Sequence, residues 1–300
     1  MTATEEPDAD RSTTGPIFRC HGSEFVATTL ARGPWDPGAC HGGAPAALLA
    51  AAVDRTPAPS AMQGVRLTYD LVRPVPVDRG LRLDVEVVRE GRRVQVLDAR
   101  LTLAADGTEL VRCRALRIRS AELDLPADRP VPGPAEVPLP EELHRMGPQE
   151  GLTGEGFWQA VDVRLVTGEL GSPGPGVGWF RVVAPLTDAT AAAGVAGSPR
   201  LSTTAGAGST ETLLTLTPLA RAAAAADFGN GIGAPLPMGP FRYVNPDLTV
   251  DLHRLPVDGW VSLSAASVAE RSGVGLTTGV LGDRRGVIGS SLQSLFIDAG

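Results

Sequence analysis

The chain predicts an α+β protein made of two tandem copies of one unit, an alanine-rich helix followed by a run of antiparallel strands. Three observations carry this. Leu67, Thr68, Asp70, Leu71 and Arg73 recur as Leu248, Thr249, Asp251, Leu252 and Arg254 at a constant offset of 181 positions, and after one deleted residue Pro76, Val77 and Asp78 recur as Pro256, Val257 and Asp258. Each copy is preceded by a helical alanine-rich segment that closes on an acid, LLAAAVDR at Asp54 and RAAAAADF at Asp227. Each is followed by two long alternating segments joined at a polar turn, Asp106-Gly107 in the first and Asp283 to Gly286 in the second. Self-similarity of this kind means one supersecondary unit used twice, and two copies suit a pseudo-dimer better than a solenoid, which needs about three repeats to close its core.

The elements follow in order. Residues 1–16 carry neither a basic flank nor an apolar core, so they read as a solvated tail and not as a secretory signal or transit peptide. The first unit is expected over 17–120. It opens with a strand in Glu24 to Leu30, then a Pro- and Gly-rich loop, ARGPWDPGACHGG. A helix starts at Gly42 or Gly43, runs to about Val53 and is stopped by Thr56-Pro57. Apolar all round, it belongs inside, wrapped by a sheet. From Val65 to Arg119 the period becomes two: Leu81, Leu83, Val85 and Val87 alternate with Arg, Asp and Glu, and further strands follow to Ile118. One helix and then antiparallel strands is α+β order, not a doubly wound sheet.

Residues 121–156 collect Pro, Gly and acids and read as a linker. The second unit, 157–300, opens with strands in Phe157 to Leu165 and Gly178 to Val183. The small-residue stretch from Thr187 to Thr210 is too poor in large apolar groups to be core, so it is expected to be a mobile surface loop or an insertion. Helix resumes at Thr217-Pro218 and runs to Asp227, with Gly229, Gly231 and Gly233 ending it. Strands are then expected over Leu248 to His253, Trp260 to Ala269, Gly273 to Leu281 and Val287 to Ile297.

Composition excludes several functions. All 27 Lys+Arg positions are arginine, yet the net charge is -7 at pH 7, which argues against nucleic acid, whose phosphates are bound by clustered cations. No apolar run approaches the ~20 residues needed to cross a bilayer. Cys20, Cys40 and Cys113 are odd in number and unpatterned, which fits a reducing cytoplasm and no structural metal. His21, His41, His144 and His253 are scattered without metal spacing. The P-loop, the GxGxxG that follows a strand and GxSxG are all missing.

Four places remain where chemistry can sit. His41-Gly42-Gly43 opens the first helix, where glycines either make a tight turn or expose backbone N–H groups to a carbonyl oxygen gaining charge. Asp227 closes the second helix, where a carboxylate opposes the dipole. It is either a solvated helix-end residue or a buried group pointed into a cavity, and function is the favoured reading. Gln293, on a strand between apolar neighbours, and Asn245, held extended by Pro246, are each either satisfied in the core or used to orient water. Cys40 reads as a small packed residue rather than a nucleophile, having no His-Asp pattern beside it.

GPWDPGACHGG, LTYDLVRPVP, ADFGNG, NPDLTVDLHRLP, the D..G turn and SSLQSLF, in that order, resemble the acyl-CoA thioesterase II-like (TesB-like) family of double hotdog proteins. The resemblance covers about residues 17 to 297, leaving out the linker and the Thr187 to Thr210 stretch. It implies two hotdog units, each a long helix wrapped by an antiparallel sheet, joined into one sheet with only part of the duplicated site active. It implies hydrolysis of acyl-CoA, or of an acyl-carrier thioester, to free acid and thiol, without cofactor or metal. Asp227 aligns with the family's water-activating acid and Gln293 with its glutamine, while Asn245 stands where a Thr is common. His41-Gly42-Gly43 resembles the HGG motif of smaller hotdog thioesterases, whose helix amides polarise the thioester. On this reading partial burial raises the Asp227 pKa, and the acyl chain lies in an apolar channel between the helices. Arg73 and Arg254 either meet CoA phosphates or pair with Asp70 and Asp251, the latter being favoured. Two rivals stay open: a double hotdog dehydratase or hydratase pairing His41 with Asp227, and a non-catalytic acyl-binding protein, which Asn245 supports. A homo-oligomer is compatible with such sheets.

Overall fold

The alanines that make the first helix nearly featureless let it sit where no other helix fits. In the computed structural model, which describes residues 15–126, 137–147, 154–188 and 214–299, helix α1 spans Gly43–Arg55 and is buried from Gly43 to Val53. Strands β1 (Phe18–His21), β2 (Glu24–Ala27), β3 (Met62–Leu71), β4 (Gly80–Arg89), β5 (Val94–Leu103) and β6 (Glu109–Arg119) make up the N-terminal half. The C-terminal half holds a helical turn α2 (Phe157–Ala160), strands β7 (Val161–Thr167) and β8 (Gly176–Val182), helix α3 (Pro218–Ala226) and a second turn α4 (Gly229–Ile232). Its remaining strands are β9 (Phe241–Val244), β10 (Asp247–Leu252), β11 (Val261–Ala269), β12 (Val274–Asp283) and β13 (Gly286–Ala299).

All of these strands join one antiparallel sheet in the order β1-β2-β4-β5-β6-β3-β10-β13-β12-β11-β8-β7, with β9 pairing the end of β13. The order is palindromic about the β3/β10 seam. At that seam Thr68 pairs with Thr249, two residues that are each other's repeat equivalents. An antiparallel pair can match equivalent residues only at a two-fold axis, so a local two-fold passes between them. The strands alternate as the period of two requires; on β4, for example, Leu81, Leu83 and Val85 are buried while the residues between them are exposed.

The two helices run antiparallel. The start of α1 meets the end of α3, and at the other end the Arg55 guanidinium donates to Thr215 Oγ1 just ahead of α3, at 2.5 Å. Buried alanines on both helices, Ala44 to Ala52 and Ala222 to Ala226, keep side-chain bulk out of the crossing. Thr217 caps α3 by accepting from the Ala220 N–H at 3.2 Å, with Pro218 in the first turn.

Several local expectations need correction. The first strand stops at Ala27, because Thr28 turns the chain by capping a 3-10 turn over Thr29–Ala31. Phe157 to Ala160 is a helical turn, which puts Phe157 and Ala160, three apart, on one buried side before β7 begins. Gly229 and Gly231 do not end the helical path; only Gly233 does. Gly229 is there for room, since a Cβ on it would lie 2.7 Å from Gln293 Oε1. Strands β1 and β9 were not expected, being four residues each with weak alternation. The described part of 121–156 is anchored against the sheet: Trp179 Nε1 donates to Pro138 O at 2.9 Å and Arg164 to Pro140 O at 2.8 Å. Nearly all of the expected tail and of the Thr187 to Thr210 stretch lies outside the described residues. No described helix is long and apolar enough to cross a membrane.

Candidate active site

The antiparallel helix pair brings the N-terminus of α1 against the C-terminus of α3, and their requirements interlock there. Asp227 is the C-cap of α3, with its carboxylate at the negative end of that helix. It faces the positive end of α1, where the approach is too close for any side chain. A Cβ on Gly42 would lie 2.8 and 2.9 Å from the Asp227 carboxylate oxygens, and one on Gly43 would lie 2.9 Å from Ala224 O and 2.9 Å from the Phe157 ring. The glycines are therefore a matter of space, since Gly42 has ordinary helical angles, φ -58 and ψ -28.

Asp227 is 3% exposed and well furnished with donors. Asn245 Nδ2 donates to Oδ1 at 2.9 Å, and Gln293 Nε2 lies 3.4 Å from both Oδ1 and the Asp227 backbone oxygen. His41 Nδ1 is 2.9 Å from Oδ2. A second layer fixes these amides: the Asn230 N–H donates to Gln293 Oε1 at 2.9 Å, Asn230 Nδ2 to Asn245 Oδ1 at 3.3 Å, and Asn245 Nδ2 also to Asp247 O at 3.1 Å. The His41 ring packs against both Phe157 and Phe228, with centroids at 5.1 and 4.6 Å, and the two phenylalanines stack on each other at 5.9 Å.

The expectation of a raised Asp227 pKa is overturned. Burial does push it up, but the His41 charge and hydrogen bond, the Asn245 amide and the Gly43 N–H together outweigh burial and hold the carboxyl below its ordinary 3.8. Asp227 is an ionised, tightly held group.

A cavity of about 490 Å³ opens beside this cluster, in the size range of small-molecule sites. Its lining includes Trp35, His41, Gly42, Asp227, Asn230 and Asn245. Gly43 and Gln293 are not in the lining; Gln293 is fully buried and reaches the cavity only through its partners. The Gly43 N–H points inward, 3.1 Å from His41 Nδ1, whereas the Gly42 N–H has no hydrogen-bond partner among the described residues. The cavity lies beyond the helix ends and not in a channel between the helices, whose alanine faces are in contact.

Arg73 lines the cavity and donates to the Glu109 carbonyl at 3.0 Å, with no ion pair to Asp70 among the described residues. Arg254 grips both oxygens of Asp283, at 2.5 and 2.6 Å, and not those of Asp251, which is exposed on the sheet face. Burial raises the Cys40 pKa and keeps it a thiol. No cluster of three or more His, Cys, Asp or Glu able to hold a metal occurs among the described residues.

Among the described residues, the opposite end of the helix pair has no cluster like that around Asp227. There the buried Arg117 caps α1, donating to Val53 O at 3.0 Å, to Pro57 O at 3.2 Å and through Nε to Gln95 Oε1 at 2.8 Å. The guanidinium reaches the Asp54 backbone oxygen at 3.5 Å, and at the α3 start Thr217 caps the Ala220 N–H. Sequence reasoning missed Arg117, Asn230 and the two phenylalanines. A polar residue set between glycines, Gly229-Asn230-Gly231, was the one signal for any of them.

Residues 31–118 match the family model of the acyl-CoA thioesterase N-terminal domain, and residues 140–297 match that of the C-terminal domain. Solved structures are similar throughout. A conserved protein of unknown function with a hot dog fold from Alicyclobacillus acidocaldarius is 16% identical, covering 93% of this chain and 94% of its own, with a TM-score of 0.63. The tesB protein of Mycobacterium avium subs paratuberculosis is 15% identical over 92% and 93%, TM-score 0.58. The acyl-CoA thioesterase II TesB2 of Mycobacterium marinum is 15% identical over 93% and 94%, TM-score 0.54. At these identities the likeness is one of fold, the hotdog. No curated protein matches the chain in sequence. With both family models matched in order along its length, the chain belongs to the acyl-CoA thioesterase family.

Proposed function

We propose that the protein is a double hotdog thioesterase, with hotdog units at 17–120 and 157–300, that hydrolyses an acyl-CoA thioester to the free acid and CoA. The observation that carries this is the placement of the Asp227 cluster and the Gly42 amide on the wall of one cavity. A thioester carbonyl accepting from the Gly42 N–H, at the positive end of α1, would have its developing oxyanion stabilised, and one such donor is worth roughly 10²–10³ in rate. Asp227 supplies the negative charge on the other side of the site, while Asn245, Gln293 and Asn230 keep it from turning away. The cavity takes the acyl chain, and Arg73 at its rim is available to the CoA phosphates.

Thiol release from acyl-CoAs of graded chain length tests the proposal. Wild type releases CoA, and Asp227→Asn loses about 10³-fold or more in kcat. A wild type that binds acyl-CoA and releases no thiol is an acyl-binding module and refutes hydrolysis. The 2.9 Å approach of His41 to Asp227 favours a second reading, a hydratase. It would interconvert enoyl and hydroxyacyl thioesters without releasing thiol.

A further inference from the structure

The geometry points to Nε2 of His41 as the atom that takes the proton from the attacking water, with Asp227 acting through the imidazole. This rests on the hydrolytic reading above and assigns its base. Both Asp227 oxygens are already occupied, Oδ1 by Asn245 and Gln293, and Oδ2 by His41 at 2.9 Å. An anion so engaged is poorly placed to receive a proton from water itself.

The tautomer follows from the partners. Two groups compete for His41 Nδ1, the Gly43 N–H at 3.1 Å and Asp227 Oδ2 at 2.9 Å. If Nδ1 accepted from Gly43, its lone pair would face the carboxylate, and one proton would have to be forced onto Asp227. Asn245 and Gln293 both present amide donors to Oδ1 and so favour the carboxylate form, which leaves the proton of the 2.9 Å contact on Nδ1, facing Oδ2. Nε2 is left as the acceptor. It has no hydrogen-bond partner among the described residues and is not a sealed, orphaned atom; the His41 side chain is 14% exposed and lines the cavity. Phe157 and Phe228 fix the ring plane.

The resulting step balances. Water oxygen bonds to the thioester carbon as its proton passes to Nε2, giving an oxyanion opposite the Gly42 amide. Collapse of that intermediate breaks the C–S bond, the Nε2 proton goes to the departing sulfur, and the products are one carboxylic acid and one thiol. Asp227 is a positioning residue that sets the tautomer and steadies the transient imidazolium.

Three measurements on the full-length protein test this. His41→Gln keeps an N–H for Asp227 but cannot accept a proton, so it should stay folded and lose about 10²–10⁴-fold in kcat with little change in KM. His41→Ala should be comparably slow and recover at least about tenfold with added imidazole, while Asp227→Asn should not recover. Nitrogen-15 NMR of histidine-labelled wild type should show the His41 ring proton on Nδ1. Wild-type hydrolysis accompanied by a His41→Gln variant within about threefold of it, or a proton found on Nε2, overturns the assignment and returns the base to Asp227. Wild type that releases no thiol from any acyl-CoA sinks the hydrolytic reading itself, so the two failures are distinguishable.

Discussion

Gly42→Ala is the sharpest perturbation that the helix contact offers. The added carbon would sit 2.8 and 2.9 Å from the two Asp227 oxygens and 3.1 Å from Cγ, below the 3.0 Å that real Cβ contacts respect in the first two cases. The carboxylate cannot swing aside, because Asn245 and Gln293 hold it from behind and His41 from the side. Overpacking of this kind costs about 1–3 kcal/mol. Alanine recovers roughly 0.5–1 kcal/mol of it, because the backbone at Gly42 is already helical. The net loss is on the order of 1 kcal/mol, or about 1–2 °C in Tm for a chain of this size. Activity should suffer more. A 1 Å misplacement can cost about 10²-fold, so a shift of about half that predicts a kcat down by roughly 10–100-fold. Differential scanning fluorimetry and the thiol-release assay read the two effects. Gly147→Ala, at an exposed glycine with nothing within 4 Å, should change neither. A Gly42→Ala enzyme with wild-type kcat and a raised Tm would show that α1 does not press on Asp227, and the account of the site would fail with it.

Asn245→Ala removes a charge-assisted bond worth about 1.5–3 kcal/mol and should lower kcat by about 10–100-fold while far-ultraviolet circular dichroism stays unchanged. Arg117→Met leaves Gln95 Oε1 buried without a donor and takes one of two donors from each of the Val53 and Pro57 carbonyls, which keep the Thr56 N–H and Gln95 Nε2. It should cost about 1–3 kcal/mol in urea unfolding and leave the kcat of the folded fraction intact, because the described residues at that helix end carry no cluster like that around Asp227. Acid should destabilise the wild type through two carboxylates. Burial opposes ionisation of both Asp227 and Asp283, yet His41 and Asn245 at the first, and Arg254 with the Arg285 and Val257 amides at the second, hold each folded pKa below 3.8. Depressed carboxyl pKa values stabilise the fold above the unfolded value, and that contribution is lost as pH falls through the folded ones. Unfolding free energy should therefore drop as pH falls below about 4, and Asp283→Asn, weaker at neutral pH, should show a flatter profile there. Equal slopes for the two proteins would refute the assignment of Asp283.

Much of the fold was legible because its signals are local. The alternation of Leu81, Leu83, Val85 and Val87 is a property of one strand, and the alanines of 44–52 can be read as a buried helix without knowing what covers them. The offset between Leu67 and Leu248 raised the expectation of two copies, and in the sheet Thr68 and Thr249, 181 positions apart, are paired partners. Short elements escaped: β1, β9 and the turn at Phe157 each span four residues, too few for a period to show. Chain order and chemistry alone pointed to Asp227, Gln293, Asn245 and His41 as candidates. Only the tertiary structure decided that Gly42 lines the cavity while Gly43 does not, that Arg117 closes the opposite end of the helix pair, and that Asp227 is an ionised acid with a lowered pKa. Periodicity is written residue by residue along a chain, but proton affinity and free space depend on which distant groups come within a few ångströms, and that is settled when the two helices pack.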